Sequence, residues 1–113
     1  GLLATEGTLK TEIYDKIFKK DYILVKPSNN LQANSVNKAI KHVKMGNIKL
    51  AEKTIKPAIK YLIKQKCKKI ILGCTEIPIA IFAYKSLQNA KVSKLYLDPN
   101  LILANSCMAR YKK

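Results

Sequence analysis

The chain has 113 residues, with 22 Lys and Arg against seven Asp and Glu, a formal charge of +15, one His, three Cys and no Trp. That length predicts one domain over 1–113 with a core that needs neither disulfides nor metal, and the 48% apolar content excludes a disordered polycation. The longest uncharged apolar run, Ile77 to Tyr84, is far short of the ~20 residues of a bilayer span, and Cys67, Cys74 and Cys107 have neither metal-ligand spacing nor an even count, so a reducing cytoplasm is the expected compartment.

In chain order, the pattern alternates strands with helices. Leu2 to Ala4 reads as a short apolar strand that begins almost at the first residue, with no secretory signal before it. Thr5, Glu6 and Gly7 form a turn, and Thr8 is the expected N-cap of a helix through Phe18 that turns Leu9, Ile13, Ile17 and Phe18 inward. Tyr22 to Val25 is predicted as a second strand, stopped by Pro27-Ser28-Asn29-Asn30. Leu31, Val36, Ala39, Ile40 and Val43 share one face of a helix that ends near Gly46-Asn47. The helix Lys49 to Lys66 follows, with an interior Pro57 that predicts a kink or break. Ile70-Ile71-Leu72-Gly73 is a short apolar run suited to a central parallel strand. Thr75-Glu76-Ile77-Pro78 opens a helix with Thr75 as N-cap, Val92 to Leu97 is the last strand, and Asp98-Pro99 caps a final helix into Arg110. These elements imply a doubly wound, four-stranded parallel α/β sheet, a flavodoxin-like lobe flanked by helices.

Ligands of such sheets sit beyond the carboxyl ends of the strands, which selects Thr5-Glu6-Gly7-Thr8 and Gly73-Cys74-Thr75-Glu76. A thiol at a strand end that faces a helix N-terminus has its thiolate stabilised, and Gly73 admits close approach of backbone or ligand. Cys74 as a small buried hydrophobe is the alternative, and position alone leaves both open. Cys67 precedes the strand that Cys74 follows, about 20 Å away at ~3.3 Å per residue. Cys107 is expected to pack inside the last helix, and His42, without a second ligand nearby, reads as a surface histidine. The isolated glycines exclude the phosphate-cradling motifs.

The charge invites a nucleic-acid partner, but only Arg110 among the basic residues is an arginine and the lysines are dispersed. Lys49, Lys53, Lys56, Lys60 and Lys64 step along one helix face while Leu50, Ala51, Ile55, Ala58, Ile59, Leu62 and Ile63 fill the other, the pattern of a solvated surface over a packed one. Neither a nucleic-acid nor a membrane partner is expected.

Three strings and two single residues carry a family resemblance: Leu2-Leu3-Ala4-Thr5-Glu6-Gly7-Thr8; Tyr14 and Gln32; Ala39 through Gly46; and above all Ile71-Leu72-Gly73-Cys74-Thr75-Glu76-Ile77-Pro78. The chain resembles the second, C-terminal half of the aspartate/glutamate racemase superfamily, on its aspartate branch, where Glu rather than His follows the Cys-Thr pair. The resemblance implies cofactor-independent racemisation of an acidic amino acid, with no metal, in which one thiolate removes the α-proton and a second thiol across the substrate returns one. It implies that Cys74 is the second-half acid/base, that Thr75 holds the substrate, that Lys44 faces a substrate carboxylate, and that Thr5 and Thr8 line the pocket. Gly73 and Glu76 would orient the loop. Lys44 as one more solvated lysine and the threonines as helix caps stay open beside these roles. The family places the partner cysteine upstream, so the expectation is a half-enzyme, inactive alone, whose 97–113 helix docks on a separate first half or on another copy. A non-catalytic interaction module and another cysteine-dependent isomerase or decarboxylase of the superfamily are the alternatives.

Overall fold

The computed structural model describes residues 1–18, 20–83 and 94–112. Its centre is a parallel sheet of three strands in the order β1 (Leu2–Leu3), β2 (Ile70–Leu72) and β3 (Tyr96–Leu97). Leu2 pairs with Ile71, Leu3 with Leu72, Ile70 with Tyr96 and Ile71 with Leu97. Alternation along each strand divides these apolar residues between the two faces. Leu3, Ile70 and Leu72 join the larger core with Val36, Ala39, Ile55, Leu62 and Ile77, whereas Leu2, Ala4 and Ile71 form a smaller one under Leu9, Tyr14, Phe18, Leu24 and Leu97. Helices therefore cover both faces, as expected of an α/β sheet.

The fourth expected strand is absent from the sheet. Tyr22 to Val25 runs beside β1 without strand geometry and makes one backbone bond to it, Leu2 N–H to the Val25 carbonyl at 2.9 Å. Continuing that parallel ladder requires residue 27 to donate an N–H back to Leu2, and Pro27 has none. Tyr22 and Ile23 are consequently exposed. Of the predicted strand Val92 to Leu97, residues 92 and 93 lie outside the described residues, Lys94 and Leu95 are helical, and Tyr96–Leu97 form β3.

The first helix starts earlier than predicted and is split. Thr5, not Thr8, is the N-cap of α1 (Glu6–Thr11), and Glu12 adopts a left-handed conformation at φ 53° before α2 (Ile13–Phe18). That residue changes the helical phase. Leu9, Tyr14 and Phe18 then face the sheet, and Ile13 and Ile17, expected inside, are exposed.

The next helical stretch is continuous in space but varied in pitch: α3 (Asn29–Leu31), a π-helical turn (Gln32–Asn37) and α4 (Lys38–Lys44). It buries Val36, Ala39 and Ile40 and ends at Gly46, whose φ of 76° suits glycine. The long α5 (Ile48–Lys64) passes through Pro57 without ending. Ser35, on the π-helical turn and 2% exposed, explains how. Its hydroxyl donates to the Thr54 carbonyl at 2.6 Å and accepts from the Ala58 N–H at 3.2 Å. Those two groups would bond each other in a regular helix, so Ser35 is inserted into the ladder where proline has opened it. On α5 the lysines at 49, 53, 56, 60 and 64 face solvent as expected, whereas Leu50 and Ile63, expected inside, are exposed.

The carboxyl-terminal elements are α6 (Glu76–Phe82) and α7 (Pro99–Tyr111). Asp98 caps α7 as predicted, its carboxylate accepting from the N–H groups of Asn100 and Leu101 at 3.0 and 3.4 Å. No residue of α7 is buried, and Cys107, expected to pack, is exposed.

Candidate active site

The register Leu3 to Leu72 brings two predicted loops out of the same edge of the sheet, with Thr5 after β1 and Cys74 after β2. Their proximity depends on Gly73, whose N–H donates to the Leu3 carbonyl at 2.7 Å. A Cβ at this position would stand 3.2 Å from Ala4 Cβ, Leu2 Cδ1 and the Leu3 carbonyl oxygen alike. The space Gly73 leaves is therefore taken by β1 rather than by a ligand.

Cys74 is half-buried against the larger core, and its thiol donates to Glu76 Oε2 at 2.9 Å. The Thr75 hydroxyl donates to the same oxygen, also at 2.9 Å. Thr75 sits at the cap position of α6, yet its side chain makes no capping bond, because the carboxylate has engaged it instead. Burial pushes the Cys74 thiol up from its ordinary range, the hydrogen bond to Glu76 adds to the shift, and the backbone N–H groups of Glu76 and Ile77 oppose it only in part. The expected help of the helix for a thiolate is thus present but outweighed: the first-turn N–H groups of α6 favour it, whereas burial and the Glu76 carboxylate beside the sulfur disfavour it more. Glu76 is held below the usual carboxylate range, first by the Cys74 and Thr75 hydrogen bonds, with a smaller contribution from the positive charge of Lys44.

Lys44 also lines an open depression of about 320 Å³ with Thr5, Asn37, Ile40 and Lys41. Thr8 lies outside it; its N–H donates to Thr5 Oγ1 at 3.2 Å, and Thr5 Oγ1 donates to its hydroxyl at 3.1 Å. The depression has an ordered wall. Gln32, 6% exposed, donates through Nε2 to the Ala4 carbonyl at 2.9 Å and to Asn37 Oδ1 at 2.8 Å, and Asn37 Nδ2 donates to Glu6 Oε1 at 2.8 Å. Gln32 Oε1 has no partner among the described residues.

The structure therefore joins Cys74, Thr75, Glu76 and Lys44 electrostatically and places Thr5 beside Lys44. Asn37, Ile40 and Lys41 belong to the same wall and were not singled out as site residues from sequence. Their positions three, four and seven before Lys44 mark one helix face, which was the available signal. Among the described residues no cluster of three His, Cys, Asp or Glu gathers for a metal ion, and no helix is long and apolar enough to cross a membrane. His42 is half-buried on α4 and outside the wall of the depression.

A family profile described as Asp/Glu/Hydantoin racemase matches residues 1–107. The chain is also 35% identical over 81 residues to a curated protein of Pectobacterium carotovorum subsp. carotovorum, described as an uncharacterized protein in the pnlA 3' region. That match covers 72% of this chain and 54% of the relative, so the chain spans about half the relative's length.

Proposed function

The chain belongs to the Asp/Glu/hydantoin racemase family, and from that premise we propose that it forms one lobe of a cofactor-independent aspartate racemase. In this reading Cys74 moves a proton at one face of the substrate α-carbon, and a thiol on a second lobe moves one at the other. Lys44, with Lys41 beside it, attracts the substrate carboxylates, Thr5 and Thr75 contribute hydroxyls, and Thr8 steadies Thr5. The observation that carries the proposal is the placement of the half-buried Cys74 at the sheet edge where ligands of α/β folds bind, hydrogen-bonded to a Glu76 carboxylate that feels the charge of Lys44, a lysine lining an open depression.

The proposal requires a second lobe because Cys67 and Cys107 are badly placed to face Cys74. Cys67 precedes β2, at the other end of that strand, and Cys107 is on the exposed α7. A first lobe, encoded with this chain or apart from it, would supply the opposite thiol, and α7 would dock there. A reducing, cytoplasmic setting is part of the same reading.

Exchange of the α-hydrogen of L-aspartate in heavy water, followed by NMR together with D-aspartate formation, tests the proposal. The chain alone is expected to give neither, and the chain joined by a first lobe of the family to give both, with Cys74→Ala abolishing them. Robust racemisation by the chain alone would overturn the two-lobe reading. Exchange by the joined lobes that survives Cys74→Ala would overturn the role of Cys74.

A further inference from the structure

We propose that Glu76 is a positioning residue that presets Cys74 as a proton donor, so that this face of the active site begins the reaction with a loaded thiol. The inference rests on the racemase reading and specifies how its two faces differ.

The geometry is a pair of donors converging on one acceptor. Cys74 Sγ and Thr75 Oγ1 each lie 2.9 Å from Glu76 Oε2. An ionised carboxylate only accepts, so the proton in the sulfur–oxygen contact belongs to sulfur. Lys44, on α4, is the charge that helps keep Glu76 ionised, and Glu76 is the charge that faces the thiol. Among the described residues, the apolar core and the first N–H groups of α6 also adjoin Cys74. A thiolate here would stand beside a second anion in a partly desolvated place, which disfavours it.

The proton step follows from that arrangement. The base on the opposite face, a thiolate in the proposed reading, takes the α-proton and leaves an electron pair on carbon. As that pair forms the new C–H bond, the Cys74 S–H bond breaks and its electron pair stays on sulfur. After product leaves, the opposite thiol releases the proton it took to solvent and Cys74 takes one up from solvent, an exchange that repulsion between Glu76 and the Cys74 thiolate favours and that resets this face as donor. The resting site therefore first processes the enantiomer whose α-hydrogen points away from Cys74.

Alkylation of the full chain with iodoacetamide across pH, resolved by peptide mass spectrometry, reads the Cys74 protonation state, with exposed Cys107 as internal reference. Glu76→Gln is expected to move the Cys74 midpoint to lower pH and to speed its alkylation at pH 8, since a larger thiolate fraction is only partly offset by lower nucleophilicity. Cys107 should not change, and Glu76→Asp should return the midpoint toward the parent value. A midpoint unchanged or raised in Glu76→Gln would overturn the proposal. If that variant does not fold by circular dichroism, Cys74→Ala supplies the reciprocal reading: the Glu76 carboxyl, followed by NMR, is expected to titrate at higher pH, and an unmoved titration would overturn the coupling. Neither readout needs turnover. Coupling without racemisation by the joined lobes would sink the racemase reading alone, and racemisation without coupling would sink this role of Glu76 alone.

Discussion

Single side chains decide how this fold accommodates its irregularities, and Ser35 is the clearest case. Its hydroxyl bridges the Thr54 carbonyl and the Ala58 N–H beside Pro57, so Ser35→Ala leaves those two groups to find each other across the opened turn. A loss of about 1–3 kcal/mol is expected in urea unfolding, the cost of unpaired buried polar groups; an unchanged midpoint would mean that α5 closes its own ladder. At Gly73 the prediction is of the opposite kind, because Gly73→Ala adds volume where atoms of Leu2, Leu3 and Ala4 already stand 3.2 Å from the new carbon. About 1–3 kcal/mol of destabilisation is expected from overpacking, with a shifted β1 rather than a blocked pocket. Pro57 was legible in the sequence as a disturbance, and Gly73 as a place of close approach. The partner of each was not, since nothing in the periodicity says that a serine 22 residues before the proline enters its helix, or that β1 fills the space over the glycine. Cys74 stands at the strand end that the sequence pattern selects, but the Glu76 carboxylate beside its thiol is not legible there, because the helix dipole is a property of the element and the Glu76 rotamer is not.

Elements with a strong apolar period were readable, and those set by one backbone group were not. The buried strand β2 and the centres of the α4 and α5 core faces lie where the pattern put them, although Leu50 and Ile63 at the margins of the α5 face are exposed. Tyr22 to Val25 has strand composition yet fails as a strand through the missing N–H of Pro27, and the first helix loses its phase at Glu12. These outcomes depend on hydrogen-bond register, which side-chain hydropathy does not encode. The element with the most to gain from a partner is α7. It has 13 residues, a good Asp98 cap and no buried side chain, while Leu101, Ile102, Leu103 and Met108 are all exposed. Helices of about 12–15 residues without tertiary support are marginal in water. Amide exchange by mass spectrometry is therefore expected to be fast throughout α7 and slow in α5 and β2, and Asp98→Ala should speed α7 further without moving the core. Protection of α7 equal to that of α5 in the dilute chain would mean that it already has a partner, such as a second copy.

The +15 charge shapes the whole molecule more than any one site. One ion pair, Lys26 to Asp15 at 2.8 Å, is found among the described residues, so most lysines repel one another without compensation. Titration should narrow the stable range from both sides. Asp15 is lowered by its Lys26 hydrogen bond and Glu76 by those of Cys74 and Thr75, so their contributions are present above the ordinary carboxylate values and fade as pH falls through the lowered ones. Cys74 and Tyr96 are raised mainly by burial, so their contributions are complete below the ordinary thiol and phenol values and fade as pH climbs through and beyond them. Urea midpoints should thus be highest between about pH 5 and 8, and Cys74→Ala should flatten the alkaline side, with no such effect if the thiol titrates normally. On the acid side, protonation of the seven carboxylates also removes the few charges that offset the lysines, and self-repulsion grows. Salt separates that general repulsion from the specific pairs. Moving from about 0.01 M to 0.15 M NaCl shortens the screening length from about 30 to 8 Å, which weakens lysine–lysine repulsion across the surface more than contacts at hydrogen-bond distance. The melting temperature is expected to rise with salt at pH 7 and to rise more at pH 4, and a fall would mean that attractive pairs, rather than the excess of lysines, dominate the electrostatics of the fold.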